Sequence, residues 1–386
     1  MPDTIYMDCA ATTPLREEVR KTLADATERL YGNPSSIHTT GQEAKRVLEE
    51  SRELVAGLIG ARPGELIFTG GGTESDNLAV SGAVKANGDR GRHIVTSAIE
   101  HHAVLNCCRA LEEEGCEATV VGAGIDGIVD PADVERAMRP DTVIVSIMTA
   151  NNETGTLQPV ADIGAITNDR GVLFHTDAVQ ALGKVPLDVD ALNADLVSLS
   201  AHKIYGPKGV GGLFVRNGTR LRPLSYGGHH EKSLRPGTEN VPGIAAFARA
   251  AQLAVSEIGD SRVRIAALRD RLWEGISSSV PSATRNGLAD RCLPGILNVS
   301  FAAIDGEALL LNLDLLGIAV STGSACTAGA AGPSHVLEAM GVEPRLAQSS
   351  IRFSLGRDNT EADVDRVLDI LPDVVKRLGD VSAIKL

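Results

Sequence analysis

Apolar and polar positions along this chain follow two alternating rhythms. Short, mostly apolar runs recur at 65–69, 93–97, 118–121, 143–148, 172–175, 196–200 and 212–215, the length of buried strands. Stretches with apolar residues at helical spacing separate most of them, notably 74–84, 103–114 and 131–138. Upstream, 5–9 starts extended, and Ala10-Ala11-Thr12-Thr13-Pro14 reads as a turn. A helix follows over 16–30, then an Asn-Pro-Ser-Ser loop at 33–36. A second helix covers 42–59, with Ala44, Val47, Leu48, Leu54, Val55 and Leu58 on one face. Strand–helix alternation of this kind predicts a largely parallel sheet with helices on both faces. The runs at 196–200 and 212–215 are joined by a loop too short for a helical crossover, which allows that pair to be antiparallel.

After Val241 the rhythm changes. Apolar residues keep a broken helical spacing from about 244 to 280. Strand-like runs then fall at 296–301, 319–321 and 350–355, with helices near 307–316 and 334–340. Thr360-Glu361-Ala362-Asp363 is a capping box that opens the last helix. The expected fold class is α/β: a large domain with a mostly parallel mixed sheet flanked by helices, plus a smaller α+β domain. The expected division is an N-terminal segment, 1–14, packing with the small domain; a large domain, 15–257; and a small domain, 258–386.

Composition narrows the function. A chain of 386 residues favours two domains over one. Its formal net charge of -13 argues against nucleic acid as the main partner. The six cysteines, Cys9, Cys107, Cys108, Cys116, Cys292 and Cys326, form no C-x-x-C pair, so zinc-finger spacing is absent. Met1-Pro2-Asp3-Thr4 lacks the basic and apolar regions of a secretory signal, and no apolar run reaches transmembrane length. The expectation is a cytoplasmic protein with reduced thiols and no membrane partner.

The candidate chemistry centres on Ser200-Ala201-His202-Lys203, where a strand gives way to a loop. A partly desolvated lysine near other cations has a lowered pKa, and its free amine can form a Schiff base. The alternative is a surface lysine. Gly70-Gly71-Gly72-Thr73 lies between a strand and a helix and is either a tight turn or a phosphate cradle. Asp177 follows a strand and is either a helix cap or a carboxylate for a protonated ring nitrogen, as pyridoxal phosphate requires. His101, in Glu100-His101-His102, caps a helix or stacks on an aromatic ring. Cys326 lies in a run of small residues, 321–332, and is either a reactive thiol or an inert one. Arg352, in Ser350-Ile351-Arg352-Phe353-Ser354, is a bidentate carboxylate clamp or an edge-strand surface charge.

The ordered motifs resemble those of cysteine desulfurases that supply sulfur for iron–sulfur clusters. They run from Asp8-Cys9-Ala10-Ala11-Thr12-Thr13-Pro14 through Thr73-Glu74-Ser75-Asp76-Asn77, Glu100-His101 and Asn151-Asn152-Glu153-Thr154-Gly155. Asp177-Ala178-Val179-Gln180, Ser200-Ala201-His202-Lys203, Pro236-Gly237-Thr238-Glu239-Asn240, Gly323-Ser324-Ala325-Cys326 and Arg352-Phe353-Ser354 continue the series. The resemblance implies the pyridoxal phosphate transferase fold of type I and pyridoxal 5'-phosphate as cofactor. Lys203 would carry the cofactor and shuttle the substrate α-proton. Asp177 would pair with the ring nitrogen, Gln180 with the ring hydroxyl, and His101 would stack on the ring and assist proton transfer. Gly72, Thr73, Ser200 and His202 would hold the phosphate. Thr238 would reach the phosphate of the other subunit, which implies a homodimer.

Asn152 and Arg352 would bind the carboxylate of L-cysteine, with Asn152 also at the cofactor. Cys326 would attack the substrate sulfur, giving alanine and a persulfide for an iron–sulfur scaffold or another sulfur acceptor. No metal site of its own is implied, although Cys326 could share a cluster with a scaffold partner. Cys9, His229, His230 and Pro236 depart from the family pattern. A selenocysteine lyase is the nearest rival, and the long Cys326 loop resembles the branch acting on cysteine. An aminotransferase would need no Cys326, and a non-enzymatic sulfur carrier no Lys203.

Overall fold

The computed structural model describes residues 4–322 and 332–381. Strand β1 (Ile5–Tyr6) is followed by helices α1 (Glu17–Arg29) and α2 (Thr39–Gly57). The alternation then runs β2 (Leu66–Thr69), α3 (Gly72–Ala86), β3 (His93–Ser97), α4 (His102–Glu113), β4 (Glu117–Val121) and α5 (Pro131–Ala137). It continues with β5 (Thr142–Ser146), α6 (Val160–Asp169), β6 (Leu173–Asp177), β7 (Leu196–Ser200) and β8 (Gly211–Val215). The last part holds α7 (Val241–Ser256), α8 (Ile258–Ser279), β9 (Ala283–Asn286), β10 (Ile296–Phe301), α9 (Gly306–Leu315) and β11 (Ile318–Ala319). Helices α10 (His335–Ala339) and α11 (Pro344–Gln348), strand β12 (Ser350–Ser354) and helix α12 (Glu361–Val381) complete it.

Seven strands form one sheet in the order β2-β8-β7-β6-β5-β3-β4. Strand β8 runs antiparallel to both its neighbours, and the other pairings are parallel. This is the mostly parallel mixed sheet that the alternation predicts, with the reversed strand where the connection is too short for a helix. Strands β3, β5 and β7 are buried along their whole length, as expected of a sheet covered on both faces. Strands β6 and β7 are parallel neighbours, with Asp177 opposite Ser198, so their carboxyl ends open on the same edge. Ligands of open α/β sheets bind at that edge.

A second sheet, β12-β10-β9, is antiparallel. Its apolar cluster includes Leu272, Ile276, Leu297, Val299, Phe301, Phe353, Val364 and Leu371, and Met7 from the start of the chain joins it. Strand β1 pairs in parallel with β11, and Asp8 bridges to Ser354. The capping box of α12 forms reciprocally: the Thr360 N–H donates to Asp363 Oδ2 at 2.8 Å and the Asp363 N–H to Thr360 Oγ1 at 3.2 Å.

Three elements depart from the sequence pattern. The buried face of α6 is Val160, Ile163, Gly164 and Thr167, two of them not apolar side chains. Gly164 is there for space, because a Cβ would lie 2.0 Å from the Leu192 carbonyl oxygen. Strand β9 reads Ala-Thr-Arg-Asn and carries no apolar run. Helix α11 has five residues and starts on a proline, too short for periodicity.

The outer edge of β2 is closed by a buried ion pair. Arg52 grips Glu231 with two bonds, at 2.8 and 2.6 Å, and also donates to the Leu66 carbonyl at 2.9 Å. Glu231 Oε2 accepts the Phe68 N–H at 2.7 Å. The pair thus replaces a neighbouring strand. It also holds Glu231, Lys232 and Ser233 in left-handed conformations, with φ of 43, 56 and 63°. Glu231→Ala removes the buried carboxylate from Arg52, which keeps only the Leu66 carbonyl and Glu49, and leaves the Phe68 amide without its acceptor; we expect a loss of about 3–5 kcal/mol. Denaturant unfolding checks this; a midpoint equal to that of the parent contradicts it.

Candidate active site

Strand β7 delivers Lys203. After Ser200 the chain makes one tight turn, Ala201–Lys203, and then leaves through Tyr205 at φ 64°. That strained turn is tied down at both ends: the Tyr205 N–H donates to Thr13 Oγ1 at 2.7 Å, and the Tyr205 hydroxyl accepts the Arg357 N–H at 2.7 Å. Lys203 Nζ donates to the Ala10 and Ala11 carbonyls at 2.7 and 2.6 Å.

A cleft opens here, and its walls include Gly72, Thr73, His101, Asn152, Asp177, Gln180, Ser200, His202, Lys203 and Arg352. Thr238 is not among them; it is exposed, on the stretch before α7. Cys326 lies outside the described residues. Asp76 and Met148 also line the cleft, although the sequence reading gave neither a role. Asp76 sits one turn into α3, a position where an acidic residue ordinarily serves the helix dipole.

The glycine run makes a tight turn into α3. Gly71 has φ 151°, and Gly72 starts α3 with room for no side chain, since a Cβ would meet Val179 Cγ2 at 2.6 Å. The first turn of α3 therefore presents bare backbone N–H groups to the cleft. Ser200 Oγ is buried nearby with no hydrogen-bond partner among the described residues. His202 Nδ1 shares a hydrogen bond with Thr12 Oγ1 at 3.1 Å. Burial, reinforced by Lys203, takes the His202 imidazole down to about 4.

The floor of the cleft carries two carboxyls. Burial, then the charge of Asp177, pushes Asp76 well above the usual carboxylate range. Burial pushes Asp177 up to about 6, opposed by the Val179 N–H and by Lys203. Of the two, Asp177 therefore ionises first and carries the negative charge of the floor. Asp177 Oδ1 accepts the Val179 N–H at 2.8 Å, which closes a turn and does not cap a helix, because no helix lies between β6 and β7. His175 lies beneath, bonded to Ser146 Oγ at 2.8 Å and Ser198 Oγ at 3.0 Å, and burial holds it neutral, down to about 3.

His101 is the N-cap of α4. Its Nδ1 accepts the Ala103 N–H at 3.1 Å, and burial followed by Lys203 lowers it to about 4. The ring is thus neutral with its proton on Nε2. Arg352 belongs to β12 but is no surface charge: it is 3% exposed, and Ser321 bridges to it from the far side. It donates to Asp8 Oδ1 at 2.8 Å and to the Asn152 carbonyl at 2.9 Å. Its Nε has no partner among the described residues.

A class-V aminotransferase family model matches residues 5–367. The chain belongs to this family, among its cysteine desulfurases. It is 46% identical to the cysteine desulfurase IscS of Dictyoglomus turgidum, over 100% of this chain and 98% of that one. It is 48% identical to the IscS of Methanosarcina thermophila, over 98% and 93%. A solved NifS-like protein superposes with a TM-score of 0.92 at 39% identity, covering 97% of this chain and 100% of that one. The desulfurase is an enzyme dependent on pyridoxal phosphate. Its residues fit that cofactor. The unpartnered Ser200 hydroxyl and the bare start of α3 suit a phosphate, and the ionised Asp177 suits a protonated ring nitrogen.

Glu100 makes the site sensitive to pH. Its Oε1 accepts the Met148 N–H at 3.0 Å, its Oε2 has no partner among the described residues, and burial pushes the carboxyl up to about 8. Between the ordinary carboxylate range and pH 8 the folded state binds a proton that the unfolded chain has released. Stability therefore falls as pH rises through that window. Glu100→Gln removes the titration. We expect the apoprotein melting temperature of the variant to match the parent at pH 5 and exceed it at pH 8.5. Parallel pH profiles for parent and variant would contradict the assignment.

Proposed function

We propose that this desulfurase binds its cofactor and L-cysteine in the cleft at the ends of β6 and β7, with Lys203 as the central base. The observation that carries the reading is the meeting of Lys203 and Asp177 with two unpartnered buried donors, Ser200 Oγ and Arg352 Nε, in one cleft. Gly72, Thr73, Ser200 and His202 hold the phosphate, Asp177 the ring nitrogen and Gln180 the ring hydroxyl. Bound there, pyridoxal phosphate supplies a carbonyl for an amine and a ring that stores the electrons of the substrate α-carbon.

Arg352 and Asn152 orient the substrate carboxylate. The guanidinium is already fixed by Asp8, so little freedom is lost when it binds. Lys203 Nζ takes the α-proton, and His101, neutral with its proton on Nε2, stacks on the ring and relays protons. Cys326 then attacks the substrate sulfur. A sulfur–sulfur bond forms on Cys326 as the carbon–sulfur bond breaks, and alanine leaves. The persulfide passes to an acceptor protein, an iron–sulfur scaffold or another thiol carrier.

The exposure of Thr238, which does not line the cleft of its own chain, supports a homodimer in which it serves the partner's phosphate. A cytosolic location is in keeping with the free thiols of the described cysteines. The apolar cluster of Met7 and residues 265–375 supports a small unit, 258–386, that begins at α8 after a large unit, 15–257; Leu293, Ile296, Val336, Leu337, Met340 and Ala347 of the later stretch pack instead into the core of the large unit. The β1–β11 pairing supports assigning 1–14 to the small unit.

Cys326→Ala separates the two halves of the chemistry. We expect cofactor binding and the spectral response to cysteine to persist, while sulfide release and protein persulfide are lost. Sulfide and alanine at parental rates in the presence of a reductant would remove Cys326 from the reaction.

A further inference from the structure

Behind the cleft lies a second, much narrower pocket, with Cys9, Lys184, Tyr205, Glu257, Leu355 and Arg357 in its walls. Ala10 and Lys203 border both spaces and form part of the partition. Lys184 reaches the partition from the rear, and Gln180, four residues before it, faces the cleft. Lys184 Nζ donates to Gln180 Oε1 at 2.8 Å. Gln180 Nε2 donates to the Ala10 carbonyl at 2.8 Å, the same carbonyl that accepts Lys203 Nζ.

These bonds decide which way the Gln180 amide lies. A backbone carbonyl only accepts, so the end of the amide at Ala10 is its NH2 group. The oxygen is then turned to Lys184, which donates to it whether the amine is charged or neutral. The oxygen is thereby drawn toward Lys184 rather than into the cleft. The second N–H of the amide is the group presented to the cleft.

We propose that Lys184 is a positioning residue that locks Gln180 as a hydrogen-bond donor, so that the cleft selects the deprotonated oxygen of the cofactor ring. This rests on the reading that Gln180 serves the ring hydroxyl. A donor at that oxygen stabilises its negative charge and eases loss of the neighbouring proton from the bound cofactor. The surroundings of Lys184 fit a donor held for its direction. Burial, then Lys203, takes its ammonium down to about 7, with Arg352 adding to the effect and Cys9 opposing it. A lysine kept for its charge is placed beside a carboxylate, and its one hydrogen-bond acceptor among the described residues is a neutral amide.

The test is a pH titration of the absorbance of bound pyridoxal phosphate in the holoenzyme. Lys184→Met keeps the length of the side chain and removes the donor. We expect its midpoint to rise by about half a pH unit or more, the effect of roughly one hydrogen bond. Lys184→Ala gives the same reading if the Met variant does not accumulate. Lys184→Gln restores an N–H, and its midpoint should return to that of the parent. In a Gln180→Ala background, Lys184→Met should add no further shift. A parental midpoint in both deletion variants overturns the proposal. So does a shift of equal size with Gln180→Ala in place, or in Lys184→Gln, since Lys184 would then act through its charge. If Gln180→Ala alone leaves the midpoint unmoved, it is the assignment of Gln180 to the ring that fails.

Discussion

Two backbone carbonyls, those of Ala10 and Ala11, hold the amine of Lys203 from a segment nearly two hundred residues upstream. The rest of the site depends on that grip. The segment reaches Lys203 only because its other side is stitched to the small sheet. The Cys9 N–H donates to the Ser354 carbonyl at 3.0 Å and the Ala10 N–H to Ser354 Oγ at 2.9 Å. Strand β12, which carries Ser354, also carries Arg352. One short extended stretch therefore sets the spacing between Lys203 on the large sheet and Arg352 on the small one. Thr13 completes the seam, donating to the His202 carbonyl through both its N–H and its hydroxyl.

Within this frame, burial decides the charges. Asp76 and Asp177 share a dry floor, and only one of them ionises near neutrality. His101, His175 and His202 are kept neutral. A floor with one negative charge, neutral imidazoles and a lysine suits the proposed placement of a phosphate at one end and a protonated ring nitrogen at the other. The Ser200 hydroxyl, with no partner among the described residues, is consistent with the proposed phosphate site. These groups are costly to the empty protein, which is the usual relation between a binding site and the stability of its scaffold.

Much of this was legible in the sequence, for physical reasons. A parallel sheet buries both faces, so its strands appear as continuous apolar runs, and Lys203 and Asp177 stand just where such runs end. The loop before β8 was too short for a crossover, so the reversed strand was visible as well. What escaped notice shares a different cause. Lys184 looks like a solvated lysine after a glycine, because nothing in the sequence reveals the cavity that receives it. Asp76 looks like an ordinary acid near a helix start. Helix α6 packs through Gly164 and Thr167, and close backbone approach leaves no apolar stripe to read. Ala10 and Ala11 contribute carbonyl oxygens, which every residue has.

The central claim is that Lys203, and no other amine, takes the cofactor carbonyl. Lys184 is the natural control, because it lies on the other side of the same partition and its pKa is also lowered by burial. The direct measurement is to load the protein with pyridoxal phosphate, reduce it with borohydride, digest it, and locate the pyridoxyl group by mass spectrometry. The account predicts one modified peptide, with the added mass on Lys203. A stoichiometric label on Lys184 or Lys208, with Lys203 unmodified, would contradict it.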